Sequence, residues 1–393
     1  MLANCLNCDC PINMYISRTI TESIIKRLKE SSKIIILYGA RQVGKTTLIK
    51  KILSELPYKI LEVSGDERKY SSIFSSRDLN KLKLLCSGYD LVFIDEAQRI
   101  PDIGINLKIL NDNIPNLKII ATGSSSFDLS NKIKEPLTGR TWTYKLYPIS
   151  FNEILSIFSP FETIEKLEEL LVFGSYPEIF NLNNIKDKRN YLQEVSSSYL
   201  YKDILEISTI KNSYKIHDLL RLLAFQIGSL VSLQELGKIL GMSKDTVASY
   251  IDLLENSFVL FRLNGYSRNL RKEVTKMSKI YFYDLGIRNI IIENLKECSF
   301  RNDIGQLWEN YFIMERIKYL HNKQTMLNPY FWRLYSGVEL DYIEEGDGEL
   351  VGFELKYSPK IKVKAPATWK STYPNAGFYS VNKDNFMEFI KGK

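Results

Sequence analysis

Gly39, Ala40, Arg41, Gln42, Val43, Gly44, Lys45, Thr46 and Thr47 carry the spacing G-x-x-x-x-G-K-T-T. That is the spacing of a phosphate loop. Glycines let a backbone curl until successive N–H groups point at phosphate oxygens, a lysine reaches the outer phosphates, and a threonine hydroxyl is offered to Mg²⁺. The ligand implied is ATP or a related nucleoside triphosphate, with Mg²⁺. Two carboxylates, Asp95 and Glu96, end the apolar run 91–94. At such a strand end the first holds Mg²⁺ through water, and the second orients the attacking water and accepts its proton. Ser124 closes a third, largely apolar run, 117–121, where a hydroxyl can sense the γ-phosphate or hold that water. Arg140 has two readings of equal standing. It is either a cation for transition-state charge, in its own chain or a neighbouring subunit, or a surface arginine in a turn.

A second constellation lies in the last hundred residues. Glu309 is the odd carboxylate of an apolar stretch, Asp341 sits in the run 338–343, and Glu354 and Lys356 share one face of the run 350–357 because strand side chains two apart point the same way. Asp341 and Glu354 together would repel, so a second divalent metal, Mg²⁺ or Mn²⁺, is one way to hold them, with Lys356 positioning a water. The competing reading is a hairpin with a solvated charged face. Between the two constellations, Arg268, Arg271, Lys272, Lys276 and Lys279 are opposed only by Glu273. They can neutralise DNA phosphates without reading sequence, or form the solvated loop of a packing adaptor.

Positioning the first group requires strands that alternate with helices. The β-branched run 33–38 leads into the phosphate loop and a helix follows; 58–63 reads as the next strand, 79–85 as part of a helix, and 141–146 as a fifth strand. This is the pattern of an α/β parallel sheet. From 151 to 215 the periodicity is mostly helical and reads as a lid or connector. Then 233–240, a Gly241-Met242-Ser243 turn, and a helix with Val247, Tyr250, Ile251 and Leu254 on one face form a helix-turn-helix, with 258–263 and 279–283 as the strands of a wing. Phe331 and Trp332 precede the strand 338–343, and Gly346-Asp347-Gly348 turns the chain into 350–357. The expected organisation is a leader at 1–16, a phosphate-loop domain at 17–155, a helical connector at 156–215, a winged helix at 216–300 and a last α/β module at 301–393.

Composition narrows the class. With 393 residues, 45% hydrophobic and 25% charged, the chain can bury several cores, and 53 Lys+Arg against 46 Asp+Glu permits a nucleic-acid partner without demanding one. There is no long apolar span, and residues 1–10 lack both a basic and an apolar targeting region, so the expectation is a soluble, cytoplasmic chain with no membrane partner. His217 and His321 are the only histidines, which argues against histidine-based catalysis, and the cluster Cys5, Cys8, Cys10 lacks a nearby fourth ligand for zinc.

The strings Gly39 to Leu48, Ile94-Asp95-Glu96-Ala97-Gln98, Thr122-Gly123-Ser124-Ser125-Ser126, Leu137-Thr138-Gly139-Arg140 and Tyr147 to Ile154 together resemble a family of bacterial and archaeal AAA-type ATPases that carry a C-terminal domain of unknown function with a nuclease-like end. The resemblance runs from about Met14 onward; Ala40 stands where the family usually has proline. It implies a sheet of strand order 5-1-4-3-2, ATP hydrolysis and, by analogy with AAA-type enzymes, a homo-oligomer. Glu309, Asp341, Glu354 and Lys356 likewise resemble the acidic-helix, aspartate and E-x-K pattern of the restriction-endonuclease-like core, which also serves as an inert docking unit. Three functions are therefore weighed: a DNA-associated ATPase with a metal-dependent nuclease-like end, a nucleotide-controlled switch that binds a protein partner and cuts nothing, or a transcriptional or defence regulator that uses the helix-turn-helix for a defined operator.

Overall fold

The computed structural model describes residues 14–124, 136–207, 213–268 and 277–391. The cysteine cluster at 5–10, Ser125, Ser126, Arg271, Lys272 and Lys276 lie outside the described residues. Among those described, no helix is long and apolar enough to cross a membrane.

Five strands, β1 (Ile34–Tyr38), β2 (Ile60–Ser64), β3 (Leu91–Asp95), β4 (Lys118–Gly123) and β5 (Thr141–Lys145), pair in parallel in the order β2-β3-β4-β1-β5. This is the order that the resemblance implies. Every residue of β1 is buried, as is β3 up to Asp95, because helices cover both faces of the sheet. The order sets β4 between β1 and β3. Their carboxyl ends therefore lie side by side, where an open parallel sheet builds its sites.

The second sheet has seven strands: β6 (Leu230–Val231), β7 (Leu260–Gly265), β8 (Ser278–Phe282), β9 (Asn328–Arg333), β10 (Glu339–Gly346), β11 (Glu349–Leu355) and β12 (Gly377–Val381), in the order β12-β11-β10-β9-β7-β8-β6. The helix-turn-helix is present as Leu233–Leu240 and Lys244–Asn256; Gly241 ends the first helix at φ 58°, and the Ser243 side chain caps the second. A Cβ on Gly237 would stand 2.8 Å from the Met242 carbonyl, so only glycine lets the turn close. The expected wing strands are β7 and β8. Their surroundings differ from expectation: β7 also pairs in parallel with β9, at Asn264↔Tyr330 and Phe331↔Gly265. The boundary expected at residue 300 thus crosses one continuous sheet. A two-stranded wing leaves an edge of unpaired backbone groups, and β9, expected only as the approach to a strand, satisfies them. The β10–β11 hairpin turns through Asp347 and Gly348, both at positive φ, with Gly346 opposite Glu349.

The two sheets are tied by buried polar contacts from the helix Ile304–Asn322. Glu315 accepts the Phe151 N–H at 2.7 Å, and Lys318 donates to the Ile149 carbonyl at 3.1 Å and to Glu315 at 2.7 Å. Asp284 accepts the Ser175 N–H at 2.7 Å, and Asn289 donates to the carbonyls of Leu171 and Val172. One apolar core runs through both sheets, from Ile16 to Ile390.

Candidate active site

The phosphate loop leaves β1 and enters the helix Lys45–Ser54 through Gly44 at φ 94°, which L side chains rarely adopt. Gly39 also meets a packing requirement. A Cβ there would lie 2.3 Å from the Leu146 carbonyl, so its bare backbone lets β1 run against the end of β5. Lys45 is buried, and its Nζ donates to the carbonyls of Gly39 and Ala40 at 2.9 Å each. The ammonium is folded back onto its own loop.

The next strand ends supply the rest. The Thr46 hydroxyl donates to Asp95 Oδ2 at 2.7 Å, and the buried Thr122 hydroxyl donates to Asp95 Oδ1. Asp95 is thereby fixed from both sides. Glu96 stands in the left-handed region at φ 51°, and its carbonyl is 2.3 Å from where a Cβ on Gly65 would be, so glycine is required opposite it. Gln98 Nε2 donates both to Glu96 Oε2 at 2.5 Å and to Ser124 Oγ at 3.0 Å. That amide joins the two groups expected to handle the attacking water. Thr122, Gln98 and Gly65 carry no role in the sequence reading; a polar residue two places after the paired carboxylates is the one signal for them that the sequence offers.

Of these groups Lys45, Thr46 and Glu96 border a cleft of about 740 Å³, lined on one side by Arg41 to Thr47, Glu96 and Arg99. Opposite them are Met14, Tyr15 and Ile16 with Pro177, Glu178 and Asn181. Residues 14–16 are therefore a wall of the site and not part of a leader, and the Met14 N–H is anchored on Asn181 Oδ1 at 3.0 Å. Arg18 was not anticipated from the sequence. Its buried guanidinium donates to the carbonyls of Val43, at 2.8 Å, and Tyr147, and faces Glu153 at 3.1 Å. Burial opposes ionisation of Glu153, but Arg18 and the N–H groups of Ser150 and Thr19 outweigh it and hold the carboxyl below its ordinary value.

Arg140 lies elsewhere. Its carbonyl accepts the Ile34 N–H, which puts it at the amino-terminal end of β1, opposite the phosphate loop. Its guanidinium pairs with Asp112 at 2.8 and 3.1 Å. The reading of Arg140 as a charge-neutralising group for its own chain is corrected by the length of the sheet.

The second constellation does converge. Asp341 Oδ2 accepts the Leu355 N–H at 2.8 Å, and Lys356 Nζ lies 2.8 Å from Glu354 Oε1 and 3.7 Å from Asp341 Oδ2. Lys279, expected in the exposed basic wing, is instead buried and bonded at 3.2 Å to Glu309 Oε1, which Tyr281 also approaches through its hydroxyl. Burial pushes the Glu309 carboxyl up to about 7, with the charge of Asp341 adding to the rise and Lys279 opposing it. Among the described residues no three His, Cys, Asp or Glu side chains are grouped as a metal ion requires, so no site for the expected second metal is shown there; Lys356 lies by Glu354 and Asp341, and Lys279 beside Glu309. Of the basic DNA-binding candidates, Arg268 is described and exposed.

Residues 31–155 match the model of an AAA domain. The first sheet has the AAA-type P-loop ATPase fold. Residues 164–297 and 304–392 match two domains of unknown function, DUF8612 and DUF4143. An uncharacterized protein of Mycobacterium tuberculosis is 26% identical over 347 residues, covering 87% of this chain and 74% of the relative. One from Methanocaldococcus jannaschii is 25% identical over 339 residues, covering 81% and 73%. Among solved structures, a Walker-type ATPase of Pyrococcus abyssi superposes with a TM-score of 0.50 at 17% identity, covering 70% of this chain and 96% of that one, and it shares the fold.

Proposed function

We propose that this chain binds ATP with Mg²⁺ in the cleft between the phosphate loop and Met14 to Ile16, and hydrolyses it. The observation that carries the reading is the hydrogen-bonded row Thr46, Asp95, Thr122 beside the row Glu96, Gln98, Ser124, both at the carboxyl ends of adjacent strands. The donor set fits Mg²⁺, a hard cation that takes a threonine hydroxyl and a carboxylate; when bound it neutralises charge on the phosphates. Lys45 exchanges the Gly39 and Ala40 carbonyls for phosphate oxygens. Glu96, held by Gln98, orients a water in line with the γ-phosphate and accepts its proton, while Ser124 bonds the same water or the departing phosphate. The test is ATP turnover by the pure chain: Glu96→Gln keeps nucleotide binding and loses hydrolysis, and normal hydrolysis by that variant overturns the assignment. Arg140 enters the proposal only through a neighbouring copy of the chain in a homo-oligomer.

DNA is the partner assigned to the helix-turn-helix unit, on the strength of its two-helix geometry and of exposed Arg268 beside the basic run 271–276. A second reading, a nucleotide-controlled switch with a protein partner, is favoured by the second helix of that unit. Its surface sets Asp245 and Asp252 against a single exposed Lys244, and Arg262 is engaged by Asp252 and Glu255 at 2.7 and 2.6 Å, so this face offers no excess of cations to phosphates. Stimulation of turnover by double-stranded DNA, lost on replacing Arg268, Arg271 and Lys272, separates the two. Metal-dependent cleavage at Glu309, Asp341, Glu354 and Lys356 is not carried into the proposal.

A further inference from the structure

The C-terminal carboxylates resemble a metal-dependent core in sequence, yet they meet in a setting that does not suit a dication. We propose that Lys279 is a built-in cation that takes the place of a divalent metal among Glu309, Asp341 and Glu354. Lys279 comes from β8, outside the last module, and its side chain is only 3% exposed. An ammonium is buried to that extent only when carboxylates surround it, because its desolvation costs several kcal/mol, on the order of what a close ion pair returns. Lys279 meets that condition: Glu309 is its direct partner, and burial, which would strip its proton, is outweighed by the charges of Glu309, Asp341 and Glu339.

The rest of the pole is arranged around the same cation. Tyr281, two residues along the strand and so on the same face, donates to the oxygen of Glu309 that Lys279 also holds. Phe331 on β9 lies under the ammonium at 5.6 Å from its ring centre, an additional favourable contact for a cation. Lys356 neutralises Glu354 and Asp341 from the other side. A Mg²⁺ or Mn²⁺ ion would have to enter beside two ammonium groups and keep most of its water, in a place where Glu309, Asp341 and Glu354 are each less than a sixth exposed. Because β7 pairs with β9, Lys279 is fixed in the same sheet as Asp341 and Glu354 and is not carried on a separate lid. The C-terminal unit then owes its charge balance to the helix-turn-helix unit, and its work is metal-independent.

The inference does not rest on the ATPase reading and is tested apart from it. Mn²⁺ binding to the full chain is measured by electron paramagnetic resonance without nucleotide, for the wild type, Asp341→Asn, Lys279→Met and Lys279→Met with Asp341→Asn. Expected are equal Mn²⁺ affinities for wild type and Asp341→Asn. Lys279→Met should bind Mn²⁺ at least tenfold more tightly, a gain lost in the double variant. Far-UV circular dichroism and a cooperative thermal transition report that each variant is folded. A tenfold loss of Mn²⁺ affinity in Asp341→Asn overturns the proposal, as does a folded Lys279→Met that gains none. If Lys279→Met does not fold, the comparison of wild type with Asp341→Asn still decides.

Discussion

The nucleotide cleft and the C-terminal carboxylate pole are built from the same kinds of side chain, lysines and acids at strand ends, and are used in opposite ways. In the cleft, Lys45 is bonded to two carbonyls of its own loop, and Asp95 and Glu96 are bonded to neutral hydroxyl and amide groups. The partners named here are neutral, and Lys45, Thr46 and Glu96 line a cleft of about 740 Å³ that a ligand can enter. At the pole, Lys279 pairs with Glu309 and Lys356 with Glu354, so the charges cancel within the fold. A motif therefore predicts chemistry only when its charged groups are held by neutral neighbours and face open volume.

The comparison can be broken most sharply at Glu96. Glu96→Gln should lower ATP turnover by roughly 10²- to 10⁴-fold, the worth of a general base, while equilibrium binding of a labelled nucleotide is retained. Lys45→Ala should lose binding itself in the same assay. Equal losses of binding and turnover in Glu96→Gln would mean that the cleft, like the pole, uses its acids structurally.

Next is the pH response of the pole. The Glu309 carboxyl titrates at about 7 in the folded chain, above the ordinary value of about 4.3 for an unfolded one. The folded state therefore binds the extra proton between those values. Its contribution to stability is complete below the unfolded value and is lost as pH rises through about 7. Urea midpoints should fall from pH 5 to pH 8, and Glu309→Gln should flatten that slope. An unchanged slope would show that Lys279 keeps Glu309 ionised throughout.

Smaller effects refine the cleft. Gln98→Ala removes the amide that joins Glu96 to Ser124, and should slow turnover about tenfold through loss of orientation, with KM little changed. Arg140→Ala, at the far end of β1 and paired with Asp112 on the surface, should leave turnover unchanged at concentrations where the chain is monomeric. A loss that appears only on assembly would assign Arg140 to the neighbouring copy.

Much of the first sheet was legible because its signals are local. A buried parallel strand must be a continuous apolar run, a phosphate loop needs a fixed glycine-lysine spacing, and a helix-turn-helix needs a glycine and a capping serine at set positions. All three requirements lie within a few residues of one another. Arg18 and Thr122 were not legible as parts of the site, since nothing near either residue marks the carbonyls of Val43 and Tyr147 or the carboxylate of Asp95 as partners.

The sequence by itself determined the phosphate loop, the carboxylates Asp95 and Glu96 and the helix-turn-helix. Tertiary structure alone decided the rest. It sent Arg140 to the far end of β1, because a five-residue strand separates it from the loop, and it made residues 14–16 a wall of the cleft, because Asn181, more than a hundred and sixty residues away, holds them. It also set Lys279 among the C-terminal acids, because β7 and β8 join the same sheet as β9 to β12. Charge cancellation depends on which side chains meet across that sheet, and pairing between distant strands is not written in the local pattern of either.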